Sequence, residues 1–281
     1  MLHIATVHHR SPRWIEIQKR QLERHVTVPY ETWASLEGID RQYARHFNHV
    51  VDQMGPHADK LDHLALEIAA VASSDDLLLF LDGDAFPIAD LTPLLTEGLG
   101  EAPLLAVRRA ENADDPQPHP CFCLTTVGFW RGLPGSWGKG YTWTDAHGTR
   151  VSDVGATLLR ALELKQVRWR EVLRSNRSGS HALWFAIYGD AIYHHGAGFR
   201  DTWNISRSDL LAKPQPLRSS SIPGVSQVIG RINTWRSQRW QRAREASNRE
   251  GSERVFQMIA DDNPRWLEEI NEQREPPARP R

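Results

Sequence analysis

The amino-acid sequence predicts an α/β fold built on a central, mostly parallel sheet flanked by helices. Three observations support this. Through the first ninety residues, apolar runs of strand length alternate with longer stretches of helical periodicity. The 281 residues suffice for one large domain, or a domain with an appendage. Composition is that of an ordinary globular protein, 40% hydrophobic and 25% charged, and a net charge of −1 gives no general pull toward nucleic acid.

The elements follow in order. "LHIATVHH", Leu2 to His9, has strand character. Ser11 and Pro12 then stand where an N-cap and a first helical residue belong, and Trp14, Ile15, Ile17 and Leu22 supply the apolar face. "PYETWASLEG" predicts a second strand. "HADKLDHLALEIAAVASS" predicts an amphipathic helix, with Leu61, Leu64, Ile68 and Val71 spaced for one face. Leu77 to Leu81 forms the third strand, ending abruptly in Asp-Gly-Asp.

Further strands are predicted in "LLAVRRA" and "CFCLTTVGFW", separated by the polar, proline-rich loop "ENADDPQPHP". "GLPGSWGKGYTWTDAHG" is glycine-rich and aromatic, which predicts a shaped loop. Trp130, Trp137, Tyr141 and Trp143 around it either offer flat faces that suit the rings of sugars or bases, or anchor the loop by burial. "SDVGATLLRALELK" predicts a helix capped by Ser152 or Asp153. "WFAIYGDAIYHHGAGF" predicts two short strands joined at Gly189-Asp190, then a glycine-containing loop. Composition shifts after Leu211, which divides the chain into a first domain over 1–211 and a linker with a helical extension over 212–281. That extension carries seven arginines against three glutamates between Arg231 and Arg254, beside Trp235 and Trp240. It reads as a solvated helix or as a peripheral contact with an anionic membrane face. "NPRWLEEINEQ" predicts a terminal helix, and "REPPARPR" a disordered end.

Cys121 and Cys123, two apart on a strand, would point the same way; the spacing makes neither an ordinary disulfide nor a complete zinc site. No apolar run is long enough to span a bilayer, and no signal-peptide core opens the chain. The expected location is a reducing compartment, the cytoplasm, with peripheral contact at the inner membrane face left open.

The chemistry concentrates at Asp82-Gly83-Asp84. In open α/β sheets, ligands bind beyond the carboxyl ends of the strands. Alternation would place both acids on one side, and Gly83 would let a ligand approach the backbone. Two carboxylates this close raise each other's pKa unless a positive charge lies between them. A divalent cation, Mg²⁺ or Mn²⁺, meets that need and can hold a diphosphate as it leaves. A bare Asp-Gly-Asp is more often a turn, but here apolar residues resume at once in "AFPIADL".

"LLLFLDGDAFPI", with the amphipathic helix before it, resembles the DXD region of GT-A-fold glycosyltransferases over roughly residues 2 to 205. The resemblance implies a Rossmann-like GT-A domain over 1–211 that moves a sugar from a nucleotide-diphosphate sugar to an acceptor hydroxyl. It implies Mn²⁺ or Mg²⁺ on Asp82 and Asp84, and a carbohydrate or glycolipid acceptor. Uridine is the favoured base by analogy alone. "HHGAGFR" is similar to the H-x-x-G element that completes the metal site in many such enzymes, which implies a ligand role for His195. His195 is preferred to His194 because a strand ending there aims the two oppositely. Arg200 stands one position before the basic residue of the longer motif, and Asp201 takes its place.

An acid at a helix start after the acceptor loop is the base in inverting members. That implies Asp153 in this role, Asp145 as the fallback, and inversion as the outcome. Thr6, His8 and Arg10 fall where this fold meets base and ribose, and Lys60 and Asp62 lie early in the helix before the DXD strand. The competing readings are a nucleotidyltransferase and a non-catalytic nucleotide-sugar or carbohydrate-binding protein. "TVHHRSPRW" lacks the glycine-rich phosphate loop that the first of these would carry.

Overall fold

The structure is a computed structural model and describes residues 1–176, 183–196, 214–218, 222 and 224–271. It divides into two compact units: Met1–Arg177 with Trp184–Phe199, and Ser178–Leu183 with Arg200–Arg281.

The first unit opens with β1 (Leu2–His9), α1 (Ile15–His25), β2 (Tyr30–Glu37), a 3₁₀ turn (Arg41–His46) and β3 (His49–Val51). It continues through α2 (His57–Val71), β4 (Leu77–Phe80), β5 (Ala85–Pro87) and α3 (Thr92–Thr96). β6 (Leu104–Arg108), β7 (Pro118–Thr126), α4 (Val127–Gly132) and the small hairpin β8 (Trp143–Thr144) and β9 (Arg150–Val151) follow. α5 (Ala156–Leu164), β10 (Arg170–Val172), β11 (Ala186–Tyr188) and β12 (Ile192–His194) complete it.

Seven strands form the main sheet in the order β10-β6-β7-β4-β1-β2-β3. β1 pairs in parallel with β2 and β4, β2 with β3, and β10 with β6; only β7 runs against its neighbours β4 and β6. Both faces are covered, as parallel strands require. Leu2, Ile4, Leu79 and Leu81 join Leu22 of α1 in one apolar cluster. Ala5, Val7, Leu78 and Phe80 join Leu61, Leu64 and Ile68 of α2 in the other.

The chain leaves the main sheet at the end of β4 and enters a second sheet, β11-β12-β5, at Ala85. Asp82, Gly83 and Asp84 lie in the turn between the two. Ala85 N–H donates to the Asp82 carbonyl across it (2.9 Å).

Several boundaries differ from expectation. α1 begins at Ile15, because the residues after Ser11 and Pro12 form a preceding turn. "VGFW" is helix, capped by the Thr126 hydroxyl on the Phe129 amide. α5 starts after Gly155, so neither Ser152 nor Asp153 is its cap. β7 reaches back to Pro118 and is bulged: Ala106 pairs with Cys123, whereas Val107 pairs with His119. The extra residues turn Cys121 and Cys123 into opposite apolar clusters, reversing the same-side expectation. Both thiols are free and buried.

In the second unit, α6 (Val225–Ala260) buries Asn248, Ser252, Val255 and Ile259 along one stripe. α7 (Trp266–Asn271) packs on it, with Trp266 and Ile270 buried. The disordered end expected from residue 274 lies outside the described residues. No described helix is long and apolar enough to cross a membrane.

Candidate metal centre

Asp82, Asp84 and His194 converge. Each offers a ligand atom within 4.8 Å of the others, and no other group of three His, Cys, Asp or Glu among the described residues does so. His194 Nε2 lies 3.4 Å from Asp84 Oδ1 and 3.8 Å from Asp82 Oδ2. Two ligands at about 2.1 Å from one ion, at right angles, stand about 3 Å apart. The three donors therefore fit a single divalent cation with little closing. Two carboxylates and an imidazole suit Mn²⁺ as well as harder ions.

The sequence elements explain the convergence. β4 delivers the acids at the carboxyl edge of the sheet, and β12 pairs antiparallel with β5, so that His194 faces Ala85. α2 begins at the same edge, where its first residue, His57, places Nε2 3.0 Å from Asp82 Oδ1. The β7 bulge brings His119 beside His194, with ring centroids 5.8 Å apart. His119 Nδ1 accepts the Cys121 amide (3.1 Å), leaving Nε2 as the proton-bearing nitrogen of the neutral ring. Burial, reinforced by Arg109, His194 and His57, holds its pKa well below the ordinary histidine value. Burial also opposes charge on His194, but Cys121 and Asp84 outweigh it and raise that pKa well above normal.

His195 is a correction. Its ring lies 4.5 Å from that of Trp14 and 5.3 Å from that of Phe185, with Tyr193 Oη 2.9 Å from Nδ1. Burial lowers its pKa to about 3. The two histidines do point oppositely, as alternation requires, but His194 is the one that meets the acids.

The other expected site residues are scattered. Thr6 and His8 are fully buried and bond to Gln18, so they present no surface to a base or ribose. Arg10 is exposed, with a left-handed φ of 58°. Lys60 is buried in an ion pair with Glu37, with His9 Nδ1 at 3.4 Å, which takes it away from a phosphate role. Asp62 accepts the Trp137 amide (2.9 Å) and so holds the glycine-rich loop; burial raises its pKa to about 6. Gly83 is buried in the turn. Arg200 lies outside the described residues. Trp137 is fully buried and stacks with Trp130, so it anchors the loop and offers no face to an acceptor.

Asp153 is gripped by Arg109 (2.9 Å) and lies 3.8 Å from Lys139. Burial opposes its charge, yet Arg109, the Val154 amide and Lys139 hold its pKa below the usual carboxylate range. Asp145 is committed to the β8–β9 turn, where its carboxylate accepts the His147 and Thr149 amides (2.9 and 2.8 Å). Both bonds fall on Oδ1, which makes Asp145 a structural residue of that turn.

Fold and site together define an α/β chain with an acid-and-imidazole centre at the carboxyl edge of its main sheet. No family model and no curated protein matches it. Among solved structures it is similar to the mannosyltransferase PcManGT from Pyrobaculum calidifontis in complex with GDP-Man and Mn²⁺. That match has 12% identity and a TM-score of 0.42, covering 63% of this chain and 57% of that one. The apo-form glycosyltransferase GlyE in Streptococcus pneumoniae TIGR4 matches at 19% identity and TM-score 0.36, covering 46% and 35%. The galactosyltransferase LgtC in complex with donor and acceptor sugar analogs matches at 14% and 0.32, covering 46% and 59%. The chain thus spans less than two thirds of the length of each.

Proposed function

We propose that this chain is a glycosyltransferase of the GT-A type, moving a sugar from a nucleotide-diphosphate donor to an acceptor hydroxyl. The convergence of Asp82, Asp84 and His194 at the carboxyl edge of the sheet carries the reading. A divalent cation held there would neutralise charge on a diphosphate leaving group. Asp82 and Asp84 would supply its oxygen ligands and His194 its nitrogen, while His57 holds the Asp82 carboxylate from the α2 side. His119, neutral and carrying its proton on Nε2, is suited to donate to a donor phosphate oxygen. Arg10 is the exposed cation near the end of β1 for the nucleotide.

Asp153 is the base in this reading. Its carboxylate, oriented by Arg109, accepts the acceptor proton as the hydroxyl attacks, and inversion follows. A carboxylate held this acidic stays ionised at neutral pH but is a modest base. Its role is tested by Asp153→Asn, which should lower kcat far more than donor hydrolysis in the absence of acceptor.

The decisive experiment is a screen of nucleotide sugars, with uridine and guanosine diphosphate donors included, for hydrolysis in Mn²⁺, in Mg²⁺ and in chelator. Turnover should need the metal, and Asp84→Ala should reduce it at least a hundredfold. Equal turnover in Asp84→Ala would sink the proposal. Metal-independent binding without turnover would favour a non-catalytic nucleotide-sugar protein.

Peripheral membrane contact belongs to the same reading. Val225, Val228, Ile232 and Trp235 are exposed on α6, and residues 225–244 carry five arginines and no acid. The full chain should co-sediment with vesicles rich in anionic phosphatidylglycerol at low salt and be released at high salt. Equal recovery with neutral vesicles would exclude this contact. The two unpaired thiols fit a cytoplasmic setting.

A further inference from the structure

Gln18 lies on the buried side of α1 with Ile15 and Leu22, spaced i, i+3 and i+7, a stripe where apolar residues are the rule. It is 1% exposed. A buried amide is costly unless its groups are bonded, and Gln18 has bonds at both ends. Its Nε2 lies 2.9 Å from the Asp82 carbonyl and 2.8 Å from the Ala85 carbonyl. Its Oε1 lies 3.2 Å from Thr6 Oγ1 and 3.2 Å from His8 Nε2.

This pattern fixes the orientation of the amide. Backbone carbonyls only accept, so the NH₂ group must face Asp82 and Ala85 and spend both of its donors there. Oε1 is left to accept from the Thr6 hydroxyl and from His8, which must therefore carry its proton on Nε2. The low pKa of His8, about 4, which burial causes against the pull of Gln18 and Asp84, keeps that ring neutral, as one fixed tautomer needs.

The two carbonyls are the ends of one turn, the turn closed by Ala85 N–H on the Asp82 carbonyl. Gly83 and Asp84 lie between them. Whatever sets the spacing of residues 82 and 85 also sets the direction in which the Asp82 and Asp84 carboxylates leave the backbone. Through Gln18, α1 reaches both ends of the acid turn and is braced against β1.

We propose that Gln18 is the positioning residue of the metal turn: it clips both ends of Asp82–Ala85 to the Thr6 and His8 side chains of β1 and thereby presents the two acids to the cation. This rests on the metal reading for its effect on affinity, but the clip itself belongs to the chain alone. Gln18 touches neither cation nor substrate and is not a catalytic residue.

The test compares Gln18→Leu, which keeps the bulk and removes all four bonds, with Gln21→Leu, an equally apolar change at a buried glutamine on the same helix. Mn²⁺ affinity is read on the full chain from the free-ion paramagnetic resonance signal. Gln18→Leu should weaken it at least tenfold while the chain still unfolds cooperatively, and Gln21→Leu should stay within twofold of the parent. In parallel, the ¹⁵N chemical shifts of His8 in the metal-free parent should report an Nε2–H tautomer that Gln18→Leu disturbs. Equal loss of affinity in both variants, or an unchanged affinity in folded Gln18→Leu, overturns the positioning role. A His8 with its proton on Nδ1 overturns the clip. If the parent itself binds no Mn²⁺, the metal reading has failed, and the tautomer measurement alone decides whether the clip exists.

Discussion

His194 and His195 are adjacent in the chain, yet one meets two carboxylates and the other an aromatic wall. The difference predicts opposite phenotypes. His194→Ala should weaken Mn²⁺ binding tenfold or more. His195→Ala should keep the metal affinity and lose about 2–3 kcal/mol of stability, the cost of opening a cavity among Trp14, Phe185 and Tyr193. Metal titration and urea unfolding on both variants separate these outcomes. The sequence made the pair visible, but the preference for His195 failed, because Ile192 and Tyr193 are both buried and neither marks which side of β12 faces the acids. His57 was within reach: a residue opening a helix in a parallel α/β unit stands at the edge where β4 ends. Lys60 was not, because its partner Glu37 lies in another element. Gln18 offered one signal, a polar residue on an apolar stripe, and pattern reading treats that as noise.

At the level of elements, the start of α5 and the bulged β7 are locked together. Gly155 holds φ at +90°, and a Cβ there would lie 2.2 Å from the Pro118 carbonyl oxygen. Gly155→Ala must therefore move β7 or α5, and should cost about 2 kcal/mol or more by urea unfolding. Because Pro118 precedes His119 and Asp153 precedes Gly155, the same variant should also disturb the Arg109–Asp153 pair. A change in stability within experimental error would show that the two elements part more easily than the geometry implies. The helices α1, α2 and α5 and the strands β1, β2, β4 and β6 were legible from apolar patterning, since each buries one stripe or alternate faces. By contrast, β3, β10 and α3 were too short to show one, and α4 was read as strand. The bulge was not legible either. It depends on three extra residues in β7 facing β6, a pairing that no local pattern announces, and it is what separates Cys121 from Cys123 and turns His119 toward the centre.

At the scale of the whole molecule, the buried histidines set the response to acid. His8 titrates at about 4 in the folded chain and at 6.5 when unfolded. Between those values the unfolded chain takes up a proton that the folded chain refuses, so stability falls as pH drops from about 6.5 toward 4 and levels off below that. His8→Gln keeps a donor near the Nε2 position and removes the titration. Its urea midpoint should change less between pH 7 and pH 4 than that of the parent, and equal slopes would place the acid sensitivity elsewhere. The alternation of the first ninety residues made the fold class readable because burial on both sheet faces imprints itself on the chain. The second sheet was legible only in part: β11 and β12 are the short pair read around Gly189-Asp190, while β5, three residues directly after the acid turn, carried no signal of its own. Yet that small sheet donates His194, while the large sheet leads into the acids. An ion held by all three is a rivet through the seam between them, so its affinity is also a measure of the sheets' cohesion. Chelation should loosen that seam first, and hydrogen exchange should rise in β5 and β12 before it rises in β1 or β4.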